Sequence, residues 1–201
     1  EFLRRGLAVW ACDVPEVRSL NGRVGAIAGR LKKSSRGWHR EKPVKIFLDQ
    51  LSGVLIRKEP PFDLNYLVLT QLLDLITTRV FVSNDPSGVR RLNEKLSILS
   101  LPSEIPRTLV SADRSALLDF TLRSLPAGAV VKPLDEKGGR GVVLLSRREA
   151  ARDFFKKAAP RFWMVQEYVR SEVPEKRILL LDGGVLAAFE KHPAPNDFRG
   201  N

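Results

Sequence analysis

The chain has 201 residues, a formal net charge of +11, 43% hydrophobic residues and 28% charged ones, proportions that suit one large or two small folded domains and exclude wholesale disorder. No apolar run approaches the ~18 residues that a membrane-spanning helix needs. One cysteine, Cys12, excludes an intramolecular disulfide, and with His39 and His192 it makes only three scattered Cys/His residues, too few for a four-ligand zinc site.

Residues 7–11 (LAVWA) read as a short apolar strand, and 17–27 as a strand pair turning at Asn21-Gly22, a strong hairpin signal. From 30 to 45 the chain carries seven basic residues against one acid, Glu41, together with Ser34, Ser35 and Gly37. This stretch reads as an exposed, solvated loop. The excess of positive charge suggests an anionic partner, but no recognition helix or aromatic platform marks it for nucleic acid. Residues 54–56 form a compact apolar strand. Pro60 and Pro61 then impose an extended turn, and Asp63 caps a helix whose Tyr66, Leu69, Leu73 and Ile76 share one face. Residues 80–82 are the next strand, and strand–helix–strand argues for parallel pairing. Asp85 and Pro86 open a second helix, with Val89, Leu92, Leu96 and Leu99 as its apolar stripe.

Residues 101–107 contain two prolines and read as a linker; 108–110 form a strand, and Asp113 starts a helix to 125 with Leu118 and Leu122 on one face. Strands follow at 129–132, 142–145, 163–168, 177–181 and 185–189, the last two joined at Asp182-Gly183-Gly184. A helix among them has Ser146 and Glu149 spaced as a capping box and Phe154 and Phe155 toward the core. The expected architecture is α/β with a parallel sheet over 1–91, followed by an α+β domain over 92–201.

Three elements carry chemistry. In KPLDEKGGRGVVLL (132–145) a strand ends in Lys132, and a loop with Gly138, Gly139 and Gly141 leads into a second strand. Glycines let backbone N–H groups approach phosphate oxygens, and a lysine at the loop's edge adds a point charge. The spacing is neither that of a P-loop nor that of a Rossmann fingerprint. Lys95, in NEKL (93–96), lies off the apolar stripe of its expected helix. Finally MVQEYV (164–169) is an apolar strand whose end offers backbone groups that can read an adenine edge, with Glu175, Lys176 and Arg177 following.

In this order the elements resemble the ATP-grasp superfamily. IRKEPPFDLNYL (56–67), VSNDPSGVRRLNEKL (82–96), PRTLV (106–110), VVKPLDEKGGRGV (130–142), QEYV (166–169), EKRILLLDGG (175–184) and HPAPNDFRGN (192–201) resemble successive motifs of prokaryotic glutathione synthetase. The resemblance implies an N-terminal pre-ATP-grasp domain and an ATP-grasp domain incomplete at its C-terminus. It implies ATP-dependent joining of γ-glutamylcysteine to glycine through an acyl phosphate, with Mg2+ as second cofactor, in the cytoplasm, with a homo-oligomer open. Lys95 and Lys132 would contact phosphates. Gly138, Gly139, Arg140, Gly141 and Val142 would form the phosphate lid. Gln166, Glu167, Tyr168 and Val169 would frame adenine, and Glu175 would hold ribose hydroxyls. Arg177 and Arg199 would be catalytic, facing phosphate and substrate carboxylates, with Arg57 and Lys191 on the substrate side. Glu175 departs from the family's usual aspartate and Lys191 from its arginine. The metal ligands are expected downstream of Asn201, and the opening strand upstream of Glu1, so the chain is expected to be a fragment inactive by itself. Other readings stay open: another carboxylate–amine ligase such as the ribosomal-protein glutamate ligase type, or a non-catalytic anion-binding protein.

Overall fold

The computed structural model describes residues 2–35, 37–170 and 175–192. The chain divides into two compact units, residues 1–97 and 98–201, each with its own apolar core.

In the first unit a five-stranded antiparallel sheet is built from β1 (Trp10–Ala11), β2 (Val17–Leu20), β3 (Arg23–Ser34), β4 (Gly37–Arg40) and β5 (Val44–Phe47). The twelve-residue β3 pairs with the other four. Asn21 and Gly22 both have positive φ, 50° and 79°, which gives the expected two-residue turn between β2 and β3. The basic stretch is not a loop. The ladder continues to Ser34 and returns as β4, so that Lys33 faces Trp38 and Lys32 faces His39. Strand pairing is a backbone property, and long cationic side chains on paired strands remain solvated. Lys32–Glu41 at 2.6 Å and Arg40–Glu16 at 2.8 Å offset part of the charge, and Trp38 stands 61% exposed.

Near its start β3 carries Val24 and Ala26, which pack with Tyr66, Leu69, Leu73 and Ile76 in one buried cluster. Three of the latter come from α1 (Leu64–Asp74), capped as expected by Asp63, whose carboxylate accepts the Tyr66 N–H at 2.8 Å. The expected parallel pairing is found between β6 (Gly53–Leu55) and β7 (Phe81–Ser83), with Val54 opposite Val82, and among the described residues is confined to these two strands. α2 (Pro86–Arg91) starts on Asp85, which accepts the Gly88 N–H at 2.5 Å. It does not run on to Leu99. The Asn93 side chain accepts the N–H groups of Lys95 (2.9 Å) and Leu96 (3.1 Å), and this local turn ends the helix. Leu92 is accordingly exposed rather than part of a buried stripe.

The second unit holds β8 (Thr108–Ser111), α3 (Arg114–Ser124), β9 (Ala129–Pro133), β10 (Val143–Leu145), α4 (Arg148–Lys157) and β11 (Trp163–Glu167). Its antiparallel sheet has the order β10-β9-β11-β8. One face, with Ala129, Val131, Trp163 and Val165, packs with Leu117 of α3 and Phe155 of α4. Leu118 and Leu122 of α3 are partly buried against the core, and its fully buried residues are Leu117, Thr121 and Ser124. Polar residues fit there because both hydroxyls donate back one turn, to Leu117 O at 2.8 Å and Phe120 O at 3.0 Å. The capping box at Ser146 is not formed: the N-cap is Arg147, which makes no side-chain cap bond, and α4 is anchored by buried Phe155. Phe154 is only partly buried and stacks edge-on against Trp163 at 5.4 Å.

β12 (Glu175–Leu181) and β13 (Gly184–Lys191) form a hairpin that turns at Asp182 and Gly183, as expected. Among the described residues it pairs with no other strand. No helix among them is long and apolar enough to cross a membrane.

Candidate functional site

The sheet of the second unit has a chemically mixed second face. Register places Thr108 of β8 opposite Gln166 of β11, Gln166 opposite Val130 of β9, and Lys132 opposite Met164. Thr108, Gln166 and Lys132 therefore share one face on three adjacent strands, away from the helices. Their side chains are joined. Lys132 Nζ donates to Gln166 Oε1 at 2.5 Å, and Gln166 Nε2 donates to Thr108 Oγ1 at 2.9 Å. The Thr108 hydroxyl donates to Pro106 O at 2.7 Å. Gln166 is only 6% exposed, so its amide depends on these partners.

Beyond Lys132 the chain enters the glycine loop. Gly138, Gly139 and Gly141 all adopt left-handed backbone, φ 61°, 71° and 69°. A side chain there would be strained, and at Gly141 a Cβ would also meet Pro133 Cγ at 3.0 Å. Two backbone bonds, Arg140 N to Lys137 O and Val142 N to Gly139 O, both 3.2 Å, hold the loop as successive tight turns. Its entry is fixed by Arg161, which reaches both oxygens of Asp135 at 3.0 and 3.1 Å and lies over the Trp163 ring at 4.5 Å. The arrangement sets an ammonium group at the head of a loop whose backbone is bare of side chains at Gly138, Gly139 and Gly141. This donor set suits phosphate oxygens.

Gln166, Glu167, Tyr168 and Val169 do end the strand beside this loop's parent strand. However, the N–H groups of Glu167 and Tyr168 already donate to Arg107 O and Gly128 O, both at 2.9 Å. The Gln166 side chain turns to Lys132, a use the strand motif by itself did not suggest. Thr108 and Arg161 were also missed. Thr108 opens the PRTLV motif, where a polar residue starting an apolar strand was the available signal; Arg161 gave none.

Other expected site residues lie elsewhere. In the hairpin Glu175 is the cross-strand partner of Lys191, and Arg177 that of Phe189, so the ribose-side and substrate-side expectations face each other at its base. Lys95 belongs to the first unit, in a turn and not on a helix, with its ammonium 3.2 Å from Glu94. Arg57 is exposed just past β6; its neighbour in sequence, Lys58, accepts the Tyr66 hydroxyl at its carbonyl, and burial pushes the Tyr66 pKa up. Arg199 lies outside the described residues. Among the described residues no cluster of three His, Cys, Asp or Glu could hold a metal ion. An open depression of about 480 Å³ between α4 and β11, lined by Phe154, Lys157 and Trp163 among others, contains none of the expected site residues.

Comparison with known proteins bears out the resemblance in both halves. The family model described as prokaryotic glutathione synthetase, N-terminal domain, matches residues 1–90, and that described as prokaryotic glutathione synthetase, ATP-grasp domain, matches 94–201. The chain is 35% identical to the glutathione synthetase of Gloeobacter violaceus over 98% of its own length and 65% of that protein's. It is 31% identical to the glutathione synthetase of Brucella melitensis, over 90% of this chain and 61% of that one. The chain thus spans less than two thirds of these relatives. Among solved structures, a RimK domain ATP-grasp protein from Sphaerobacter thermophilus superposes with a TM-score of 0.54 over 71% of this chain and 56% of its own, at 18% identity, a likeness of fold. Two domain models of one family, matched in order along nearly the whole chain, show that it belongs to the prokaryotic glutathione synthetase family.

Proposed function

We propose that the chain carries the nucleotide-binding part of a ligase that joins γ-glutamylcysteine to glycine at the expense of ATP. The observation that carries this reading is Lys132, held at the end of β9 by a buried amide and followed at once by three left-handed glycines. ATP supplies the phosphoryl group that activates the dipeptide carboxylate for attack by the glycine amine. The protein's part is to bind and orient. In this reading Lys132 and the loop N–H groups of Gly138, Gly139, Arg140, Gly141 and Val142 meet phosphate oxygens, and Lys95 is likewise assigned to a phosphate. The strand end at Gln166, Glu167, Tyr168 and Val169 takes the adenine edge, and Glu175 a ribose hydroxyl. Arg177 and Arg199 face phosphate and substrate carboxylates, and Arg57 and Lys191 serve the substrate side. Fixed cations aimed at transferring phosphoryl oxygens stabilise developing charge without reorganisation. Magnesium belongs to the reading as the usual partner of ATP phosphates.

Titration calorimetry of ATP into Lys132→Ala and Lys95→Ala chains tests the reading. Each loss of a charge-assisted contact is expected to weaken binding by about 1.5–3 kcal/mol. Unchanged affinity in both variants overturns it.

A further inference from the structure

We propose that the β3–β4 ribbon of the first unit is a docking surface for single-stranded nucleic acid, with Trp38 as the platform on which an unpaired base stacks. Past Leu31, β3 has no neighbouring strand but β4 among the described residues. Lys32, Lys33, Ser34, Trp38 and His39 are all exposed, so this end of the ribbon has both faces in water. Cross-strand partners share a face, which sets Lys33 beside Trp38 on one side and Lys32 beside His39 on the other. The Lys33 ammonium lies 6.0 Å from the Trp38 ring centre, and Trp38 is 61% exposed. A tryptophan in a solvated loop would be no platform. On a paired strand its backbone is fixed by the ladder, its ring is open to solvent and a cation stands beside it.

Charge complementarity gives the partner's sign. The described residues between 30 and 45 include six exposed cations, Arg30, Lys32, Lys33, Arg40, Lys42 and Lys45, with Glu41 as the single acid. Ion pairs hold Lys32 to Glu41 and Arg40 to Glu16 and Asp13; among the described residues Arg30, Lys33 and Lys42 make none. Such a surface attracts phosphodiesters and releases their counterions. Trp38 decides which polyanion fits. Its ring can stack only on a base whose face is open, and in a duplex those faces are closed by neighbouring bases. An anionic bilayer would be entered by apolar residues at the leading end of the ribbon, and Ser34, Ser35 and Gly37 stand there instead. Stacking combined with phosphate contact tolerates any base sequence.

The experiment is fluorescence anisotropy of labelled oligothymidylate titrated with the 201-residue chain. Binding is expected, and it should weaken steadily as salt is raised. Trp38→Ala is expected to weaken it about fivefold or more, the worth of one base stack, while leaving the binding of a duplex of equal length unchanged. Trp38→Phe, which keeps a ring, should recover most of the loss. Lys33→Ala should lower the salt slope by about 0.7, the share of one phosphate on a single strand. Both side chains are exposed, so the melting temperature should stay at the parent's. Excess ATP should not displace the strand. No binding by the parent, unchanged strand affinity in Trp38→Ala, or displacement by ATP overturns the proposal. If Trp38→Ala keeps the strand and loses its hold on phosphatidylserine vesicles, the ribbon is a membrane surface and the proposal fails in that way. Should Trp38→Ala not fold, the Lys33→Ala slope decides by itself.

Discussion

β11 and β12 are both strongly apolar strands in the second unit, yet they meet opposite fates. In β11 the first four residues, Trp163 to Gln166, are buried; in β12 all seven are exposed, Leu180 at 64%. β11 has a strand on either side and two helices against one face. Among the described residues β12 has only β13, whose Val185, Leu186 and Phe189 are exposed as well. An apolar run on both faces of a strand is the mark of a position covered on both sides. The contrast teaches that such a run states a demand for cover and not its fulfilment. The hairpin is held by its own ladder and turn, and an isolated two-stranded hairpin is marginal in water.

The contrast can be broken most directly by core truncation. Leu117→Ala, beneath the covered sheet, is expected to cost about 2–5 kcal/mol in urea unfolding. Leu180→Ala in the hairpin should stay within about 0.5 kcal/mol, as surface changes do. Equal costs would show that the hairpin is packed after all. A second probe is association. Exposed apolar strands with open edges invite pairing between chains. Leu180→Lys combined with Leu186→Lys should therefore lower the apparent mass of concentrated chain in sedimentation, and an unchanged mass would remove the hairpin from suspicion. The smallest effect concerns acid. The carboxylate of Asp113, which caps α3 against the covered sheet, is held below its ordinary value of 3.8 by the Ser115 hydroxyl and the N–H groups of Ser115 and Ala116. A depressed carboxylate contributes stability that is complete above the ordinary value and is lost as pH falls through the folded one. Melting curves below pH 4 should therefore be steeper in pH for the parent than for Asp113→Asn, and parallel curves would remove the cap from the account.

Much of the fold was legible. The caps Asp63 and Asp85, the α1 face and the turns at Asn21-Gly22 and Asp182-Gly183 are local: each needs only side chains within a few positions. The failures are equally physical. The β3–β4 ladder was hidden because charge patterns report solvation of side chains and say nothing of backbone pairing. The second helix was drawn too long because apolar spacing continued past Asn93, whose side chain captures the backbone. In the site, the loop and Lys132 were visible as a motif. The roles of Thr108 and Gln166 were not, because they are 58 positions apart and meet only through sheet register.

Trp163 and Trp38 are the extremes among the molecule's three natural lamps, with Trp10 half-buried between them. Trp163 is 6% exposed, on the same strand as Gln166, and emits from an apolar interior; Trp38 is 61% exposed, with the Lys33 ammonium 6.0 Å from its ring centre. Iodide, itself an anion, gathers at the lysine and dims the exposed lamp first. With Trp10 replaced by phenylalanine, what stays lit reports β11 by itself, with no label attached.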